Sequence, residues 1–99
     1  MSGSEGAGAC AVRRSVSISN TRGLHARAAA KFVRTAGRFK AAVTVANRDV
    51  SVSGLSIMGL MMLAAGPGTT IDIAATGRDA DAAVKALAEL VEAKFGEAD

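Results

Sequence analysis

Apolar and polar residues alternate along four short stretches of the chain and recur at helical spacing along three others. Residues 13–19 (RRSVSIS) put Val16 and Ile18 on one face and Ser15, Ser17 and Ser19 on the other, the two-residue period of a half-buried strand. Residues 41–46 (AAVTVA) and 50–53 (VSVS) alternate in the same way around Asn47-Arg48-Asp49, which reads as a hairpin turn. Residues 68–76 (GTTIDIAAT) supply the fourth strand, with Ile71, Ile73 and Ala75 inward. Between the first two strands, from His25 to Ala36, Ala29, Phe32, Val33 and Ala36 recur at helical spacing, and Lys31 and Arg34 lie off that stripe. Alanine favours the helix and Gly37 suits its end. Residues 56–63 (SIMGLMML) predict a short helix with Ser56 as its N-cap. A last helix runs from a cap at Asp79 to about Phe95, with Val84, Leu87, Val91 and Phe95 as its apolar stripe. The order β-α-β-β-α-β-α, with strands half-buried, predicts an α/β (α+β) open-faced sandwich of two layers. Three helices cover one face of a mainly antiparallel four-stranded sheet.

Length and composition limit what such a sandwich can enclose. The chain has 99 residues, the size of one domain. Of its 49% apolar residues, 22 are alanine and only 26 are Val, Ile, Leu, Met or Phe. That makes one modest core and no deep substrate cleft. Residues 1–12 (MSGSEGAGACAV) are mostly small and read as a flexible tail before a domain spanning 13–96. The tail lacks the basic start and apolar stretch of a secretory signal, so a cytoplasmic setting is expected. No run of about 18 apolar residues is present, so no membrane insertion is expected. The single cysteine, Cys10, excludes an internal disulfide and a cysteine-based zinc site.

Charge is divided between the halves. Residues 6–48 hold nine Lys or Arg and no acid, whereas residues 49–99 hold three basic residues and eight acids. Such a field points to an acidic partner surface or to nucleic acid facing the first half. The only aromatics are Phe32, Phe39 and Phe95. Base-stacking surfaces want more, so a small nucleic-acid-binding module is the weaker alternative.

The only histidine is His25, in TRGLHAR, where a glycine-containing loop feeds a helix. A helix start offers unpaired N–H groups and a partial positive charge. Arg22 and Arg27 lie close in sequence. An imidazole there stands beside a ready anion site, a setting for a phosphoryl group on or near the ring. The plain alternative is a capping residue with no further role. A metal site is not expected, because one histidine without a nearby acid cannot fill a coordination shell. No cofactor is expected: no glycine-rich loop followed by Lys-Ser/Thr exists for a nucleotide.

NTRGLHARAAAKFV (20–33), followed by SIMGLMML (56–63) and GTTIDIAATG (68–77), resembles the HPr family. These are the histidine phosphocarriers of the phosphoenolpyruvate-dependent phosphotransferase system. The likeness spans about residues 13–96. It implies a carrier, not an enzyme, with the same β-α-β-β-α-β-α sandwich. His25 would accept a phosphoryl group on a ring nitrogen from enzyme I and pass it to an enzyme II A domain. Arg27 would stabilise the group, together with the backbone N–H groups of Ala26 and Arg27. Ser56 would be the position that a regulatory kinase, with its phosphorylase, modifies in some bacteria. One departure is Ala28, where family members often carry proline. It leaves open whether sugar transport or a regulatory branch is served.

The resemblance also bears on the apolar run after Gly54. Leu55, Ile57, Met58, Leu60, Met61, Met62 and Leu63 are more than a short helix can bury on one face. Leu60 and Leu63 are expected inward, and Ile57, Met58 and Met61 outward as a partner-docking patch. Flexible thioethers suit a surface that fits several partners. Arg27, Lys31 and Arg34 would rim the patch. The carrier is expected to be a monomer.

Overall fold

The computed structural model describes residues 11–63 and 66–97. Most of the expected tail, with Cys10, lies outside the described residues. The elements are β1 (Val12–Ser17), α1 (Ala26–Ala36), β2 (Ala42–Asn47), β3 (Val50–Ser53), α2 (Ile57–Met62), β4 (Thr70–Thr76) and α3 (Ala80–Glu92), with a single 3₁₀ turn at Lys94–Gly96. The sheet order is β1-β4-β2-β3 and every neighbouring pair is antiparallel. Helix α3 lies on β1, β4 and β2, α1 packs against α2 and α3, and α2 leans on β3. This is the open-faced sandwich that the alternation predicts.

The alternation is borne out face by face in β1, β2 and β4, whereas in the edge strand β3 Val52 is half-buried and Val50 is 50% exposed. Val16, Ile18, Val43, Val45, Ile71, Ile73 and Ala75 are buried beneath the helices. Ser15, Ser17, Thr44, Ser53, Thr70 and Asp72 are exposed on the other face. There Ser17 and Thr70, register partners, pair through their hydroxyls at 3.3 Å. Helix α1 buries Ala28, Ala29, Phe32 and Ala36, and α3 buries Ala80, Ala83, Val84, Leu87, Ala88 and Val91.

Several boundaries differ from the expectation, each for a local reason. β1 begins at Val12, which pairs with Ala75. Its regular part stops at Ser17, although Ile18 still donates to Thr69 and accepts from Gly68, both at 2.8 Å. The β2–β3 turn is Arg48-Asp49 alone. Asn47 pairs with Val50 and sends its Nδ2 to the Leu63 carbonyl at 2.9 Å, tying the hairpin to the end of α2. Asp79 stands at the N-cap of α3 but makes no side-chain cap there. Its Oδ2 accepts instead from the Lys40 N–H at 2.8 Å, clamping the entry to β2. Helix α3 ends at Glu92, short of Phe95. Lys94, Phe95 and Gly96 then take positive φ values of 57°, 56° and 77°. Left-handed backbone costs about 1–2 kcal/mol per non-glycine residue. Complete burial of the Phe95 ring offsets that cost.

Gly54 closes the hairpin onto α2 at a point with no room for a side chain. Its N–H donates to the Val43 carbonyl at 2.8 Å, and a Cβ there would lie 2.6 Å from Val43 Cγ1. Gly54→Ala is therefore expected to lower stability by about 1–3 kcal/mol, the usual cost of overpacking. Thermal unfolding checks this, with a fall of several degrees expected for a domain of this size.

Candidate functional site

His25 is the N-cap of α1. Its extended backbone (φ −77°, ψ 179°) turns the loop into the helix, and its carbonyl accepts the first helical bond, from Ala29 at 2.8 Å. The N–H groups of Ala26, Arg27 and Ala28 thus precede the first helical bond and have no helical carbonyl to meet. The Arg27 N–H points at His25 Nδ1, 3.3 Å away. Capping by an imidazole ring instead of a hydroxyl or carboxylate brings Nδ1 to the positive end of the helix dipole. No acidic side chain lies in the first turn of α1, so nothing on the helix itself competes for an anion.

The loop before the helix holds the ring from behind. Gly23, at φ 66°, donates to the Asn20 carbonyl at 3.1 Å and closes a tight turn. Asn20 is completely buried. Its Nδ2 donates to the Gly23 carbonyl and to Glu97 Oε1, each at 2.9 Å. Glu97 Oε2 in turn meets His25 Nε2. The His25 and Glu97 side chains are only 19% and 17% exposed, so the pair is largely shielded from water. Asn20 Oδ1 is buried without a partner among the described residues.

This acid corrects the expectation that His25 has none nearby. Glu97 is 72 residues away in sequence and lies one residue past the expected domain end, so spacing gave no signal for it. The three left-handed residues before it carry the chain back from α3 toward the start of α1. Lys31 secures that return by donating to the Phe95 carbonyl at 2.6 Å. It is half-buried and tied to that carbonyl, whereas the sequence set it with Arg27 and Arg34 on the rim of the apolar patch. Arg22, Arg27 and Arg34 are exposed, and the Arg27 guanidinium forms no ion pair among the described residues. One histidine and one carboxylate do not make a metal site, and no cluster of three or more ligating side chains occurs among the described residues.

Ser56 caps α2 as expected, its Oγ accepting the Gly59 N–H at 2.9 Å. Leu60 and Leu63 point into the core. Ile57 and Met61 are about two-fifths exposed, at 40% and 41%, and Met58 is 69% exposed. Leu55 and Met62 are also exposed and widen the apolar surface beyond the three residues expected. Because α2 packs on α1, the surface adjoins the helix that His25 caps. No described helix is long and apolar enough to cross a membrane.

The sequence signature of the PTS HPr component phosphorylation site matches residues 12–93. The phosphocarrier protein HPr of Neisseria meningitidis serogroup A is 48% identical over 88 residues, covering 89% of this chain and 99% of that relative. The phosphocarrier protein NPr of Shewanella violacea is 46% identical, covering 88% of this chain and 96% of its own length. Among solved structures, HPr-C-His from Thermoanaerobacter tengcongensis superposes with a TM-score of 0.85 at 41% identity, over 89% of this chain and 99% of that one. Nothing in these matches favours a nucleic-acid-binding module. This chain belongs to the HPr family, the phosphocarriers of the phosphotransferase system, and is a carrier rather than an enzyme.

Proposed function

We propose that His25 carries the phosphoryl group on Nδ1, taking it from enzyme I and passing it to an enzyme II A domain. One observation supports this reading above the rest: Nδ1 accepts the Arg27 N–H at the start of α1. A ring nitrogen that accepts a hydrogen bond has a lone pair, the electrons that attack phosphorus. Once the N–P bond forms, that N–H is free to turn to a phosphoryl oxygen. The N–H groups of Ala26 and Ala28 add donors where charge gathers, and the Arg27 guanidinium swings onto the group as its counter-charge. Proline in place of Ala28 would remove one of these donors.

The surface of Ile57, Met58 and Met61, widened by Leu55 and Met62, is the docking face for both partners, with Arg27 and Arg34 beside it. An acidic partner surface would meet this basic rim quickly. Ser56 lies at the edge of the same face. A phosphate on it would bring about −1.5 to −2 charges against that apolar patch, which makes it the place for a regulatory kinase and phosphorylase to act. A cytoplasmic monomer delivering phosphoryl groups to sugar transport or to a regulatory branch fits this reading.

Three variants test it. His25→Ala is expected to fold and to take no acid-labile phosphate from enzyme I and phosphoenolpyruvate. An acid-labile phosphate on that variant would place the acceptor elsewhere. Arg27→Ala is expected to slow transfer at least about tenfold, the loss of one charge-assisted contact of about 1.5 kcal/mol. Its melting temperature should change little, since the side chain is exposed; rapid-quench kinetics with labelled phosphate give the rate. Ser56→Asp retains a capping oxygen, so it should stay folded while accepting phosphate from enzyme I more slowly. Wild-type kinetics in this variant would leave Ser56 as a cap alone.

A further inference from the structure

The geometry points to Glu97 as a positioning residue for phosphoryl transfer: its carboxylate fixes the proton of His25 on Nε2 and balances the charge that the ring acquires when Nδ1 is phosphorylated. This rests on the reading of His25 as the acceptor. It goes beyond the family match, which ends at residue 93.

The two ring nitrogens have opposite surroundings. Nδ1 meets a donor, the Arg27 N–H, and Nε2 meets the Glu97 carboxylate. A neutral imidazole has one N–H and one lone pair. Only the tautomer with the proton on Nε2 satisfies both neighbours, and it leaves the lone pair on the nitrogen that faces the anion site. The opposite tautomer would set an N–H against the Arg27 N–H and a lone pair against a carboxylate oxygen. The carboxylate is itself held, because Asn20 spends one amide proton on Glu97 Oε1 and the other on the Gly23 carbonyl. Burial of most of both side chains limits screening by water.

The same contact acts on the product. The Nδ1 lone pair forms the new N–P bond while the donor's own bond to phosphorus breaks and its electron pair returns to the donor. The proton stays on Nε2. The phosphorylated ring is then an imidazolium, with the Glu97 carboxylate against its N–H and the phosphoryl oxygens at the helix start. In the onward step the acceptor attacks phosphorus, the N–P bond breaks, and its pair returns to Nδ1. Glu97 thereby supports the ring charge in both directions without touching the transferred group.

The fold delivers this residue by a strained route. Lys94, Phe95 and Gly96 are all left-handed, the Phe95 ring is fully buried, and Lys31 grips the Phe95 carbonyl. Strain of this kind persists where the surrounding structure over-determines it, and here its outcome is the placement of one carboxylate.

The test uses the full chain, labelled with ¹⁵N in the ring of its only histidine. Ring-nitrogen shifts recorded in alkaline buffer are expected to show the proton on Nε2 in the wild type. In Glu97→Ala the populations should move toward the Nδ1 proton. Transfer from phosphorylated enzyme I should fall about tenfold, the loss of a charge-assisted hydrogen bond, in the transfer constant and not in the concentration for half-saturation. Glu97→Gln keeps an acceptor oxygen without the charge, so it should retain the tautomer and lose part of the rate. If Glu97→Ala fails to fold, Glu97→Gln decides on rate. Ring shifts unchanged in Glu97→Ala, or wild-type transfer in a folded Glu97 variant, overturn the proposal. If His25→Ala still accepts acid-labile phosphate, the acceptor assignment falls with it. If His25→Ala is inactive and the Glu97 variants transfer normally, only the role of Glu97 falls.

Discussion

The close seating of three helices on one face of a four-stranded sheet is the constraint from which the rest of this structure follows. Small side chains make that seating possible. Ala28, Ala29 and Ala36 of α1, Ala80, Ala83 and Ala88 of α3, and Ala75 of β4 are all buried in one layer with the larger Phe32, Leu60, Leu87, Ile71 and Ile73. Alanine adds little apolar area by itself, but it lets neighbouring backbones approach and interlock at the density of a protein interior. The core is correspondingly modest, and the helix starts are set rigidly with respect to the sheet. A site built at the start of α1 inherits that rigidity.

Rigid placement is what phosphoryl carriage needs, since catalysis of such transfer is chiefly positioning and charge. On the proposed reading, the protein would supply a nitrogen, a set of backbone donors and an arginine, and its partners would supply the rest. The Glu97 carboxylate meets Nε2, the ring nitrogen opposite the one that faces the Arg27 N–H.

The exposed apolar surface of α2 follows from a similar economy. Helix α2 is six residues long and can bury only one side. Leu60 serves the core, and the turn after it contributes Leu63. The remaining apolar residues stay outside because the hairpin and α1 already fill the space beneath. Methionine there would suit the proposed docking to differently shaped partners, while Ser56 serves the helix as a cap and stands at the rim of the same surface.

Local pattern determined most of this. Alternation placed the four strands and their buried faces. Helical spacing placed the three helices, and the glycine-containing loop before His25 located the start of α1. The capping of α2 by Ser56 and the division of its apolar residues into inward and outward sets were also legible, because these depend on neighbours a few residues away. What tertiary structure decided was the other side of the histidine. Asn20 reads as one more loop residue, Lys31 as a base on the rim of the apolar patch, and Glu97 lies beyond the expected domain end. They come together only because Phe95 sinks into the core and forces a left-handed return over α1. A contact across 72 residues has no period to betray it. Asp79 shows the same limit, capping its helix by composition and clamping the Lys40 backbone in fact. Sequence fixes which groups a segment can offer to its near neighbours; which distant group answers them is set by how the segments pack.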